Sequence, residues 1–171
     1  MNTRVLVTLS LFVGIGAVLH VVIPSFGMKP DMTLTMMFLG ILLFPKAKYV
    51  LLLGLSTGFI SALTTTFPSG QIPNIIDKPF TAFLFFGTYL VVRRFSSKFT
   101  TSALTFIGTL VSGTIFLGSA LFLFGLPEGF GFMALFVAVV IPSAIVNTIL
   151  LTVLYPIVLT IGKRSNLVTT T

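Results

Sequence analysis

The sequence predicts an all-α membrane protein of six transmembrane helices, and three observations lead there. Of its 171 residues 56% are hydrophobic and only 8% charged, where soluble domains carry about a quarter charged residues. The apolar residues fall into six runs, each bounded by charge or proline. The charges also alternate in kind. Arg4, Lys46, Lys48, Arg93, Arg94, Lys98, Lys163 and Arg164 occupy every second boundary with no acid among them, while Lys29, Asp31, Asp77, Lys78 and Glu128 occupy the others. By the positive-inside rule both termini lie in the cytoplasm. The net charge of +7 then reports orientation and not nucleic-acid binding. With no cysteine in the chain, disulfides and thiolate chemistry are excluded.

Residues 1–171 read as one integral membrane domain. The first span, 5–23, follows Arg4; no A-x-A-like cleavage site succeeds it and further spans do, so it is expected to be retained. The second, 30–44, stops at Pro45-Lys46. The third, 49–66, runs into a loop rich in proline and glycine. The fourth, 79–92, starts with Pro79 in its first turn, because Pro68 and Pro73 forbid a regular helix before it. The fifth, 101–124, ends at Gly125-Leu126-Pro127. The sixth, 130–161, is overlong, and Pro142 should kink it by removing the bond to the Ala138 carbonyl. Rows of small residues, Ser10/Gly14/Ala17, Gly54/Gly58/Ala62 and Gly108/Ser112, suit close helix contact in lipid.

Span length locates the candidate site. A hydrocarbon core about 30 Å thick needs about 20 helical residues, and the second and fourth spans reach only about 22 Å and 21 Å. Both have basic anchors at their cytoplasmic ends, so the shortfall falls outside, where non-helical backbone is tolerated only around a cavity. Paired short, proline-marked segments point to a transport site. Two loops would then wall one outward-facing cup: Gly27-Met28-Lys29-Pro30-Asp31, and Phe67 to Thr81, which gathers Gln71, Asn74, Asp77 and Lys78. His20 and Asn147, in the outer halves of the first and last spans, lie within reach.

Helix N-termini aimed inward would attract a carboxylate, with Lys29 or Lys78 beside them, and Asp31 or Asp77 would hold an ammonium group. Phe67, Phe80 and Phe83 are candidate stacking surfaces. Both signs of charge, amides and phenylalanines suit a zwitterion with an apolar or aromatic side chain. An enzyme is disfavoured: there is one histidine and there are three scattered acids, with neither H-E-x-x-H nor G-x-S-x-G. No cofactor or metal is expected. An autonomous proton-coupled aromatic amino-acid or vitamin permease, with Asp31 or Asp77 carrying the proton, is the alternative.

Several segments resemble the bacterial tryptophan transporter family, TrpP: G-A-V-L-H (16–20), G-M-K-P-D-M (27–32), M-M-F-L-G-I-L-L-F-P-K (36–46), L-L-L-G-L-S-T-G (51–58) and S-A-L-T-T-T-F-P-S-G-Q-I-P-N-I-I-D-K-P (61–79). The resemblance implies a substrate-binding S component of an energy-coupling factor (ECF) transporter in the bacterial cell membrane. Such a subunit would capture tryptophan outside and deliver it by toppling, driven by a transmembrane coupling protein and two ATPase subunits. S components carry an A-x-x-x-A docking surface on the first helix; Ser10 and Gly14 stand at those positions here, with Ala17 beyond them.

Overall fold

A computed structural model of the chain describes residues 2–23, 30–95, 98–165 and 167. Among these residues five helices are long and apolar enough to cross a membrane, and a shorter apolar helix completes the bundle. They are α1 (Thr3–Val22), α2 (Met32–Leu43), α3 (Ala47–Thr64), α4 (Gln71–Val92), α5 (Lys98–Phe124) and α6 (Phe132–Arg164). The Asn2 amide donates to the Tyr49 hydroxyl at 3.2 Å, which ties the start of α1 to the start of α3. Thr3 and Arg4 also line one surface pocket with Ser165 and Leu167, so the basic ends of α1, α3 and α6 share one end of the bundle.

The centre is α2. All 12 of its residues are buried, as expected of a helix that is apolar all round, and it touches each of the other five helices. Phe38 stacks on Phe85 of α4 with ring centroids 4.0 Å apart and planes 7° from parallel. At 12 residues α2 is about 18 Å long. A helix so short is tolerated because its neighbours, and not lipid, surround it. Its truncated outer end is closed by Asp31, whose Oδ1 accepts from the Leu34 amide at 2.9 Å, an N-cap bond.

The fourth helix departs from the sequence-based expectation. It starts at Gln71 and not at Pro79, and its 22 residues reach about 33 Å, a full span. Pro73 is its third residue, where the missing N–H has no intrahelical acceptor to lose. Pro79 lies inside the helix and leaves the Ile75 carbonyl without its usual donor. Across from it, α3 presents glycines. A Cβ on Gly54 would lie 2.9 Å from the Pro79 Cα, and one on Gly58 would lie 3.2 Å from the Asn74 carbonyl oxygen. The Gly54/Gly58/Ala62 row thus lets α4 lie almost backbone to backbone on α3.

The row on α1 behaves differently. Ser10 and Gly14 are exposed and Ala17 half-buried, and a Cβ on Gly14 would meet nothing within 4 Å. Gly16 of α1 does face α2: a Cβ there would lie 3.2 Å from the Thr33 Cα. In α6 the expected distortion at Pro142 takes the form of a π-helical turn, Phe136–Val140, which ends two residues before it. The wider turn relieves the clash between the proline ring and the preceding turn.

Candidate functional site

At the end of the bundle opposite the basic clusters lies a cavity of about 460 Å³. The N-terminus of α2 forms one side of it. The first two turns of α4, the α3–α4 loop, the outer half of α5 and the π turn of α6 form the rest. Its polar side gathers Asp31, Ser61, Asn74, Asp77, Lys78, Thr109, Ser112 and Ser143, with His20 from the last turn of α1. The rest of the lining is largely apolar and includes Phe67, Phe116, Phe130, Leu135, Val139 and Val140. Phe67 meets Phe116 edge to face, centroids 5.2 Å apart. Positive φ angles at Gly125 and Gly129 turn the α5–α6 loop back so that Pro127 and Phe130 reach the cavity.

An ion triad dominates the polar side. The Lys78 ammonium donates to Asp31 Oδ2 at 2.5 Å and to Asp77 Oδ2 at 2.8 Å. Asp77 also accepts from the Thr81 hydroxyl at 2.7 Å on Oδ1 and from the Ser112 hydroxyl at 2.7 Å on Oδ2. Its side chain has no exposure, Lys78 has 3% and Asp31 has 24%. Asp31 Oδ1 takes the Thr33 hydroxyl at 2.6 Å as well as the Leu34 amide. Thr33 in turn pairs with Ser61 of α3 at 2.6 Å. A buried ion pair persists only where further hydrogen bonds satisfy the remaining lone pairs, and these hydroxyls supply them. Gly58 lies against the triad's helix, where an added Cβ would meet the Lys78 Cβ at 3.4 Å.

Of the residues singled out from sequence, Asp31, Asn74, Asp77, Lys78 and His20 come together around this cavity. Lys29 lies outside the described residues. Gln71 does not line the cavity; as the first residue of α4 it is exposed. Asn147 is fully buried one turn below Ser143, and neither amide atom of its side chain has a hydrogen-bond partner among the described residues. The helix-terminus anion site is not formed as expected. The outer end of α2 is capped by its own Asp31, and α4 begins too early for its N-terminus to point at Lys78. Phe80 and Phe83 are 63% and 43% exposed on the outer face of α4, so of the three candidate aromatics only Phe67 lines the cavity. Thr81, Ser112, Phe116 and Phe130 were not singled out. Ser112 had a faint signal, as the small residue four after Gly108, but its partner on α4 is invisible without the packing. Among the described residues no three His, Cys, Asp or Glu side chains are grouped to hold a metal.

Comparison with known proteins places these features in a family. Residues 2–163 match the family described as tryptophan transporter TrpP. A protein of Bacillus subtilis named probable tryptophan transport protein is 57% identical over 168 residues, covering 97% of this chain and 96% of its own. Proteins of the same name from Clostridium acetobutylicum and Clostridium perfringens are 42% and 38% identical. The first alignment covers 91% of each chain and the second 97% of each. No solved structure matches.

Proposed function

The chain belongs to the TrpP tryptophan transporter family, and on that premise we propose that it is the substrate-binding membrane subunit for tryptophan uptake. One observation carries the reading: a buried ion triad and three phenylalanines, Phe67, Phe116 and Phe130, line the same cavity. Its volume falls within the range of about 300–1,000 Å³ of small-molecule sites. A free amino acid with a large aromatic side chain needs both halves at once. The charges bind its zwitterionic end and the rings cover its indole. The acids and the cavity lie at the end remote from the basic clusters, so the cup opens outward in the bacterial cell membrane.

We further propose that uptake is driven from outside the chain, by an ECF-type coupling protein with two ATPase subunits that make this subunit topple. The sequence contains no nucleotide-binding motif, and Ser10 and Gly14 leave a small-residue patch on the open face of α1. Such a patch suits a partner helix.

The chain has no tryptophan of its own, so indole emission from the purified protein reports bound ligand. Saturable tryptophan binding is expected, and its absence in a folded preparation would refute the reading. In liposomes the chain alone should bind tryptophan without accumulating it. Accumulation driven by a proton gradient would instead establish the autonomous permease. Gly14→Leu should leave binding intact and abolish ATP-driven uptake by the assembled transporter.

A further inference from the structure

The hydrogen bonds of the triad give the site a polarity. Resting on the tryptophan reading, we propose that Asp31 receives the substrate's ammonium group and Lys78 its carboxylate, while Asp77 is a positioning residue that touches neither. Three facts carry the assignment.

The first is capacity. An ammonium has three donors and a carboxylate about four acceptor positions. Lys78 uses two donors within the triad and keeps one for a ligand oxygen. Each aspartate accepts three bonds, Asp31 from Lys78, Thr33 and Leu34, and Asp77 from Lys78, Thr81 and Ser112.

The second fact is access. Both acids keep one acceptor position, but the Asp31 side chain is 24% exposed at the end of α2 and that of Asp77 is wholly buried. Of the two acids only Asp31 is open to a ligand as the bundle stands, while Lys78, 3% exposed, offers its third donor to the cavity it lines. Asp77 acts through Lys78, whose ammonium it holds in place from below while Asp31 holds it from the side.

The third fact is charge. Asp31, Asp77 and Lys78 sum to one negative charge. An added ammonium neutralises the triad, whereas an added lone carboxylate doubles its excess. In a site this dry, an uncompensated charge is the costlier state. The site should therefore tolerate loss of the substrate's carboxylate better than loss of its amine.

Titration of the purified full-length chain with tryptophan, tryptamine and indole-3-propionate, read by ligand fluorescence anisotropy, tests this. Tryptophan should bind tightest, and tryptamine should exceed indole-3-propionate by about tenfold or more, the worth of one charge-assisted hydrogen bond. Asp31→Asn keeps an N-capping side chain of the same shape and should reverse the order of the two analogues. Asp77→Asn also removes the triad's excess charge but leaves Asp31 to meet the ammonium, so it should weaken tryptophan binding and narrow the gap between the analogues less than Asp31→Asn does. A wild-type chain that binds tryptophan yet prefers indole-3-propionate overturns the assignment while leaving the substrate reading intact. So does an order unchanged in Asp31→Asn, or a gap narrowed as much by Asp77→Asn as by Asp31→Asn. A folded chain that binds no tryptophan overturns the substrate reading itself. The wild-type ranking decides the matter even where a variant fails to fold.

Discussion

Separating Asp77 from Lys78 should destabilise the bundle by an amount that depends on what remains paired. In Asp77→Asn the side chain keeps its shape, but an amide nitrogen replaces one of two oxygens that together accept from Thr81, Ser112 and Lys78. With the nitrogen at the Oδ1 position the Thr81 hydroxyl can turn to accept from it, while Lys78 and Ser112 keep an oxygen that no longer carries charge. Breaking a buried pair typically costs about 3–5 kcal/mol, because a charge is stranded. Here Lys78 is not stranded, since Asp31 still holds it at 2.5 Å. The loss should therefore be that of one charged hydrogen bond, about 2–3 kcal/mol.

Lys78→Met removes the cation common to both acids and should cost more, about 4 kcal/mol. Once Lys78 is gone, the Asp77 charge has lost its reason to be there. The double variant should therefore fall short of the sum by about 1.5–3 kcal/mol, where independent sites add to within about 0.5 kcal/mol. Thermal unfolding in detergent, followed by circular dichroism, measures all three. At this chain length each kcal/mol moves the midpoint by about 2–4 °C, so Asp77→Asn should melt about 5–10 °C lower. Additive losses would refute the reasoning, for they would mean that the two side chains do not feel each other.

Other expectations follow from the packing. Gly54→Ala places a Cβ 2.9 Å from the Pro79 Cα and should destabilise by about 1–3 kcal/mol; Gly87→Ala, with nothing within 4 Å, should be neutral or slightly stabilising in the same melt. Asn147→Leu replaces a buried amide that has no partner among the described residues with an apolar side chain of similar size, so the melting midpoint should hold or rise; a fall of several degrees would reveal a bond that Asn147 makes. Phe116→Ala removes a ring that lines the cavity and packs on Phe67, and tryptophan affinity measured by anisotropy should drop about tenfold. Gly113→Ala would set a Cβ 2.3 Å from Val140 Cγ1, force the π turn away from α5, and weaken tryptophan binding more than it lowers the melting midpoint.

The sequence alone determined the membrane class, most of the runs of residues that become helices and the clustering of basic residues at alternate helix ends. These follow from local composition, since apolar length and basic flanks act on the chain one segment at a time. It also marked Asp31, Asn74, Asp77 and Lys78, because charged and amide side chains set in so apolar a chain are conspicuous wherever they fall. The start of α4 went unread because a proline rule applied residue by residue could not foresee that the Gly54/Gly58 face of α3 would carry the helix through Pro79. Only the tertiary structure decided that Lys78 bridges an acid 47 residues away and that Ser112 of α5 completes the shell of Asp77. It alone brought Phe116 and Phe130 to the cavity wall, and it buried Asp77 while leaving Asp31 open. Hydrogen bonds and dryness at such a site depend on where helices distant in sequence come to rest, and no single segment carries that information.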